Sequence, residues 1–248
     1  MKKEIRAYQN GTIVAIQHFL KKRGFKIGKY PEPDRLRRLK ALNHFGITKV
    51  FDIGANTGTY GIELRSLGYK GDIFSFEPTQ LAYSLLEKKC SKDTKWNCFK
   101  IGLGNKDEEL EINISLNSKS SSILDMLPIH ILNAPDSKYI NKEIIKIKTL
   151  NELLPSLCTK EDRILLKIDT QGYEKNVLLG GDAVLNRISL IQVELSFKPL
   201  YKGESDFWQM NEYIQSLGFQ LFSLETDESF SNPKSGELLQ VDCIFVKQ

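Results

Sequence analysis

The sequence is poor in the residues that hold small or metal-dependent proteins together. Its 248 residues include four cysteines (Cys90, Cys98, Cys158, Cys243), none in a C-x-x-C pair and none beside a histidine cluster. A disulfide framework and a structural zinc site are therefore not expected, and the thiols read as reduced. Three histidines (His18, His44, His130) lie far apart, which leaves little basis for histidine-centred catalysis. No apolar run is long enough to span a bilayer: the stretch Ile13–Leu20 is short and interrupted by Gln17 and His18. No small-residue cleavage site follows that stretch, so the expected location is cytoplasmic. No repeat or low-complexity block is present. A G-x-G-x-x-G fingerprint and a Tyr-x-x-x-Lys pair are also missing, which counts against a nicotinamide-dependent oxidoreductase or epimerase.

What is present is an ordinary soluble composition, 41% hydrophobic and 27% charged, in a chain able to bury a core without staples. Its net charge of +4 is unevenly spread. Residues 1–40 carry twelve Lys/Arg against three Asp/Glu, and the rest carries 23 against 28. Residues 1–45 thus form a basic, helical N-terminal arm, and residues 46–248 the main domain. Such an arm either caps the domain or meets an anionic surface, such as a membrane leaflet or a phosphorylated glycan carrier. It lacks the basic and aromatic interleaving that grips bases, so no nucleic-acid partner is expected. The prolines of the segment Lys29–Asp34 separate the arm from a helix expected over Arg35–Phe45.

Beyond that helix, strand and helix patterns alternate. Strands are expected at Lys49–Ile53, Asp72–Phe76, Trp96–Leu103, Glu109–Leu116, Arg163–Ile168, Ile188–Leu195, Phe219–Leu224 and Val241–Val246. Helices are expected after Gly58 through Leu67, and at Leu81–Cys90, Lys175–Asn186 and Phe207–Leu217. The order implies parallel βαβ units in an open, doubly wound α/β sheet. Ligands of such sheets sit at the carboxyl ends of the strands, near the switch in strand order.

Three strand ends carry candidate residues. In Phe51-Asp-Ile-Gly-Ala-Asn-Thr-Gly58 an apolar strand runs into a glycine turn, followed by Tyr60. Glycine allows the backbone to bend sharply and approach a ligand. Amides of this turn would meet a carboxylate and Asp52 an ammonium group, the two charges of a methionine tail. At Phe76-Glu-Pro78 an acid ends the next strand, placed to accept ribose hydroxyls. In Lys167-Ile-Asp-Thr-Gln-Gly-Tyr-Glu174, Asp169 leaves a hydrophobic strand and Glu174 opens a helix, where it either acts chemically or complements the helix dipole. Glu194 repeats the arrangement one strand further on.

These pieces, with Val193-Glu-Leu195 and in this order, resemble the FkbM-type family of methyltransferases that use S-adenosylmethionine (SAM). The resemblance spans about Lys49 to Val246. It implies a class I, Rossmann-like methyltransferase fold, mostly parallel with one antiparallel strand near an edge. It also implies O-methylation of a hydroxyl on a sugar, glycan or natural product. SAM is then the cofactor, with Asp52, Gly54, Asn56, Gly58, Tyr60, Glu77 and Pro78 as its binding residues. Asp169, Glu174 and Glu194 are the candidate catalytic acids, as bases or as groups that orient the acceptor, and no metal is required. A catalytically silent SAM-binding scaffold is the other alternative, against which the acidic strand ends stand. One departure is Asn105, where the pattern has aspartate after glycine. The stretch Asn117–Tyr139 reads as a lid over the substrate, and the group Phe197, Tyr201, Phe207 and Trp208 as a source of rings to stack on a sugar. The oligomeric state is not legible.

Overall fold

The computed structural model describes residues 18–20, 22–24, 30–226 and 230–248. Most of the basic arm lies outside the described residues, and so does the expectation attached to it. Its last helix, α1 (Pro33–His44), is described, and it packs on the domain through the buried Ala41 and Leu42. Arg38 of α1 lies within ion-pair range of Glu63 and Glu225, residues far along the chain, so this helix is held by the sheet domain.

Seven strands form the main sheet: β1 (Lys49–Ile53), β2 (Asp72–Phe76), β3 (Trp96–Phe99), β7 (Ile164–Ile168), β8 (Ile188–Ser196), β9 (Phe219–Glu225) and β10 (Gln240–Lys247). Their spatial order is β3-β2-β1-β7-β8-β10-β9, with β10 running opposite to the other six. The order reverses between β1 and β7, the place where an open α/β sheet leaves a crevice at its strand ends. Helices α2 (Thr59–Ser66), α3 (Gln80–Cys90), α6 (Glu174–Leu179) and α7 (Phe207–Ser216) link the strands. Asp206 caps α7 and exchanges side-chain and backbone bonds with Gln209, a reciprocal cap that fixes where the helix starts.

Both faces of the sheet are covered, which is why its strands read as near-continuous apolar runs. On one face Phe51, Phe76 and Phe99 stack at 5.9 and 5.0 Å between ring centres, beside Leu166 and Val193. On the other, Val50, Ile73 and Leu165 meet Leu42, Leu64 and Leu86 from α1, α2 and α3. Strand alternation places Asp52 on this second face as well. There Ser75, Asp52, Lys167 and Gln192 stand in register across β2, β1, β7 and β8, a buried polar row running into the crevice.

A small second sheet, β4 (Gly102–Leu103), β6 (Tyr139–Lys148) and β5 (Glu108–Ser115), stands beside the first. Here the structure departs from the sequence reading. The expected strand Trp96–Leu103 is two strands in two sheets, because the chain leaves the main sheet after Phe99 and re-pairs at Gly102 with β6. Strand β6 and helix α5 (Leu150–Leu157, with Pro155 inside it) went unassigned. The segment Asn117–Tyr139 contains the short helix α4 (Pro128–Asn133). It is pinned where the Leu127 amide donates to the Leu200 carbonyl and the Lys202 amide to the Asp125 carbonyl. Only its start reaches the crevice.

Candidate functional site

A cavity of about 340 Å³ opens at the carboxyl ends of β1, β2, β7 and β8. Of the ten residues singled out in the sequence, seven line it: Gly54, Asn56, Tyr60, Glu77, Pro78, Asp169 and Glu194. Asp52, Gly58 and Glu174 stand behind its wall.

Gly54 makes the cavity possible. At φ +77° it occupies a backbone region that favours glycine, and a Cβ there would lie 1.9 Å from the Asp169 carbonyl oxygen. The turns after β1 and β7 can touch only because that Cβ is absent. The turn amides do not wait for a ligand, contrary to the sequence expectation. Gly54 and Ala55 both donate to the Phe76 carbonyl at 3.0 Å, and Gly58 to the Ala55 carbonyl at 2.8 Å. Asn56, also at positive φ, donates its amide to Glu77 Oε2 at 2.9 Å, and Thr57 donates to Asn56 Oδ1 at 2.7 Å.

Glu77 is buried and points into the cavity. Its Oε1 accepts from the Thr79 amide at 2.9 Å and hydroxyl at 2.6 Å. Burial pushes its carboxyl up, while these bonds and the one from Asn56 pull it back. Three bonds leave about one of a carboxylate's four acceptor positions open. Beside it Leu103, Ile112, Ile145 and Ile147 line an apolar slot. A flat base in the slot with its ribose on Glu77 suits this end, so the residues present fit SAM. Asn105, the departure noted above, is not on the cavity wall, and the contact after β3 is made by Gly102 and Leu103.

Asp52 is not on the cavity wall, where the sequence reading would have it meet an ammonium group. It is fully buried, with Oδ1 3.3 Å from the Lys167 ammonium and Oδ2 accepting from Ser75 at 3.2 Å. Burial raises its carboxyl and Lys167 opposes that rise. Burial disfavours the charge of Lys167 in turn, but Asp169, Asp52 and Asp242 outweigh it and hold its pKa above the usual lysine value. Lys167 was missed as a site residue. Its signal was a lone charge in the apolar strand Ile164-Leu-Leu-Lys-Ile168, since a lysine buried in a sheet requires an acidic neighbour. Gly58 faces Trp96 and Leu86 inside the core.

The far end of the cavity is acidic. Asp169 pairs with Lys167 at 3.3 Å through Oδ2, and its Oδ1 accepts from Gln171 Nε2 at 2.8 Å. The same nitrogen donates to Glu194 Oε2 at 3.0 Å. Glu194 forms no ion pair among the described residues. Burial, followed by Asp169, Asp242 and Glu174, drives its carboxyl well above the usual range. Asp242 shares this wall, and burial raises its carboxyl too. Tyr60 donates to Gln192 Oε1 at 2.6 Å, and Gln192 donates to Glu225, which Arg38 holds. That network forms the floor.

Glu174 is placed differently from Asp169 and Glu194. Its Oε1 accepts from the amides of Thr170 and Gly172, at 2.9 and 3.1 Å, and from the Thr170 hydroxyl. It shapes the turn that carries Gln171 and does not face the cavity. Of the expected lid, Ser118, Lys119, Ser121 and Ile123 line the cavity, and Ser118 approaches Asn56. None of the four aromatic residues after Glu194 is on the wall. Phe207 stacks on Phe197 in the core, Trp208 is exposed, and Tyr201 is buried with its hydroxyl on Gln171.

Comparison with known proteins found several methyltransferases similar to this chain. The 2-O-methyltransferase NoeI of Sinorhizobium fredii (strain NBRC 101917 / NGR234) is 22% identical over 162 residues, covering 62% of this chain and 66% of NoeI. The chain therefore spans slightly less than two thirds of that relative. The crystal structure of the methyltransferase FkbM from Methylobacillus flagellatus KT is 13% identical with a TM-score of 0.49, covering 79% of this chain and 43% of that one. Magnesium protoporphyrin IX methyltransferase (ChlM) from Synechocystis PCC 6803, solved with bound SAM, is 10% identical with a TM-score of 0.47, covering 86% and 76%. The family profile described as the methyltransferase FkbM domain matches residues 52–221, well over half the chain. The chain belongs to the FkbM methyltransferase family, with the class I fold and S-adenosylmethionine as its cofactor.

Proposed function

We propose that this chain O-methylates a hydroxyl of a small, polyhydroxylated acceptor: a sugar, a glycan end or a natural product. The observation that carries the reading is the acid pair Asp169 and Glu194, which shares one cavity with Glu77. Bound SAM supplies the electrophilic methyl group. The protein must then hold the acceptor oxygen in line and take its proton, and alignment supplies much of the rate. The two acids divide that work. Asp169 is fixed by Lys167 and suits an orienting role, accepting a hydrogen bond from a neighbouring hydroxyl. Glu194 forms no ion pair among the described residues, and burial with its acidic neighbours raises its carboxyl well above the usual range despite Lys167, which makes it the better proton acceptor. The assignment of NoeI as a 2-O-methyltransferase supports the choice of oxygen as acceptor atom.

The test is to incubate the protein with isotopically methyl-labelled SAM and host glycan, lipid and small-molecule extracts. Products should gain one CH₂ per transfer and carry the label as a methoxy carbon in the NMR spectrum. Label found only on nitrogen or carboxylate would overturn the reading.

A further inference from the structure

Gln171 sits in a conformation that glutamine seldom adopts. Its φ is +54°, in the left-handed region where asparagine and glycine are the common residues. Strain of this kind persists only where the surroundings over-determine it. Here four contacts do so. Nε2 donates to Asp169 Oδ1 at 2.8 Å and to Glu194 Oε2 at 3.0 Å. Oε1 accepts from the Tyr201 hydroxyl at 2.7 Å. The backbone carbonyl accepts from Ser122 Oγ at 2.6 Å, in the segment that covers the cavity. The amide orientation follows from chemistry, since the reverse would set a carbonyl oxygen against two carboxylates.

We propose that Gln171 is the positioning residue of the acid pair, tying the carboxylates of Asp169 and Glu194 to one side-chain amide that Tyr201 holds, while its backbone carbonyl is held by Ser122 of the covering segment. The role of the pair rests on the function proposed above, but the tie itself does not. An amide has two N–H donors, and each carboxylate takes one, so the acids stay close without sharing a proton. A lysine here would neutralise the pair, and a third acid would repel it. The groups facing Glu194 are Lys167 from β7, Asp169 from the turn just after it, Asp242 from β10, Glu174 from α6 and Tyr201. Lys167 is the only cation among them, and it is engaged by Asp52 and Asp169. Gln171 is therefore the donor that stabilises the ionised form of Glu194.

Gln171→Asn separates this role from a merely structural one. Asparagine is at ease at positive φ, so the backbone should hold. Its amide is one methylene too short to bridge the two acids. The side-chain carboxyl of Glu194 is titrated by carbon NMR in the free, full-length protein, its signal assigned by loss in Glu194→Gln. In Gln171→Asn the midpoint should rise by about one pH unit, a roughly tenfold change in protonation equal to about 1.4 kcal/mol. Thermal unfolding should be unchanged or slightly higher, and calorimetric SAM affinity should stay near wild type. A midpoint that does not move would overturn the proposal, as would a fall. A fall in melting temperature with an unmoved midpoint would make Gln171 structural. Because neither cofactor nor acceptor enters the titration, failure of the O-methylation reading would leave this result standing.

Discussion

The two ends of the cavity are held by different parts of the chain. At the Glu77 end, Glu77 takes its bonds from the Asn56 amide and from its near neighbour Thr79, and the Gly54 and Ala55 amides go to the Phe76 carbonyl. At the acid end, Asp169 and Glu194 are held by the side chains of Lys167 and Gln171, and Gln171 by Tyr201. Backbone-held geometry follows from a short local sequence and tolerates most side-chain changes nearby. Geometry held between side chains depends on register across four strands, and a single substitution can dismantle it. The first end suits a ligand shared by many enzymes, the second an acceptor particular to one.

The largest effects should come where each end is supported. Gly54→Ala would drive a methyl group into the Asp169 carbonyl and force an unfavourable φ. It should cost about 4 kcal/mol or more, the range of severe backbone and core lesions. Lys167→Met, in contrast, leaves the backbone alone and strands Asp52 and Asp169, which should cost about 3–5 kcal/mol as a broken buried pair. Urea unfolding measures both. The comparison breaks if Lys167→Met is as stable as wild type, for then the acid end does not depend on side chains.

Next come the acids themselves. Glu194→Gln should lower turnover at least about a hundredfold, the scale of a lost general base. Asp169→Asn, if that carboxylate orients the acceptor, should raise KM more than it lowers kcat. SAM affinity by calorimetry should change little in either. Equal turnover for Glu194→Gln and wild type on the true acceptor would remove Glu194 from the chemistry. A smaller loss is expected at the other end. If Glu77 receives a ribose hydroxyl, Glu77→Ala should weaken SAM binding about 10- to 100-fold. An unchanged dissociation constant in a folded variant would move the ribose elsewhere.

The same contrast explains what could be read from the sequence. The glycine turn, Glu77-Pro78 and the strand order are local signals, and the structure brings Gly54, Glu77 and Pro78 to the wall of one cavity at the strand ends. Lys167 and Gln171 acquire their meaning only from neighbours on other strands, so Lys167 looked like part of a strand and Gln171 like part of a loop. Asp52 and Glu174 show the reverse failure. An acid at a strand end or helix start looks the same whether it faces the cavity or the core, and both are buried behind the wall, Asp52 beside Lys167 and Ser75, Glu174 against the Thr170 and Gly172 amides. Strand β6 was missed because its Ile144-Ile145 pair interrupts the alternation, and α5 because Pro155 falls within it. The expected rings for a sugar failed for a related reason: Phe197 and Phe207 satisfy each other in the core.

The smallest expected effect is a pH dependence that distinguishes Glu174 from the acids lining the cavity. Burial raises its pKa from 4.5 to about 7, against the pull of its own and the Thr170 backbone amides and with a push from Glu204 and Asp169. Below about pH 4.5 the carboxyl is protonated in both the folded and the unfolded chain, and it adds no pH dependence. Between about pH 4.5 and 7 the unfolded chain has released the proton while the folded one keeps it, so this group makes stability fall as pH rises. Above about pH 7 both forms are ionised and the penalty stays constant. Glu174→Gln keeps an oxygen for the two amides but has no proton to release. Its stability relative to wild type should therefore climb from pH 5 to pH 8, by on the order of 2 kcal/mol at most, and then level off. Urea unfolding of both proteins across that range measures the gap. A gap that stays flat would mean that Glu174 ionises freely, as an acid open to the cavity would, and the line drawn here between it and the Asp169–Glu194 pair would have to be redrawn.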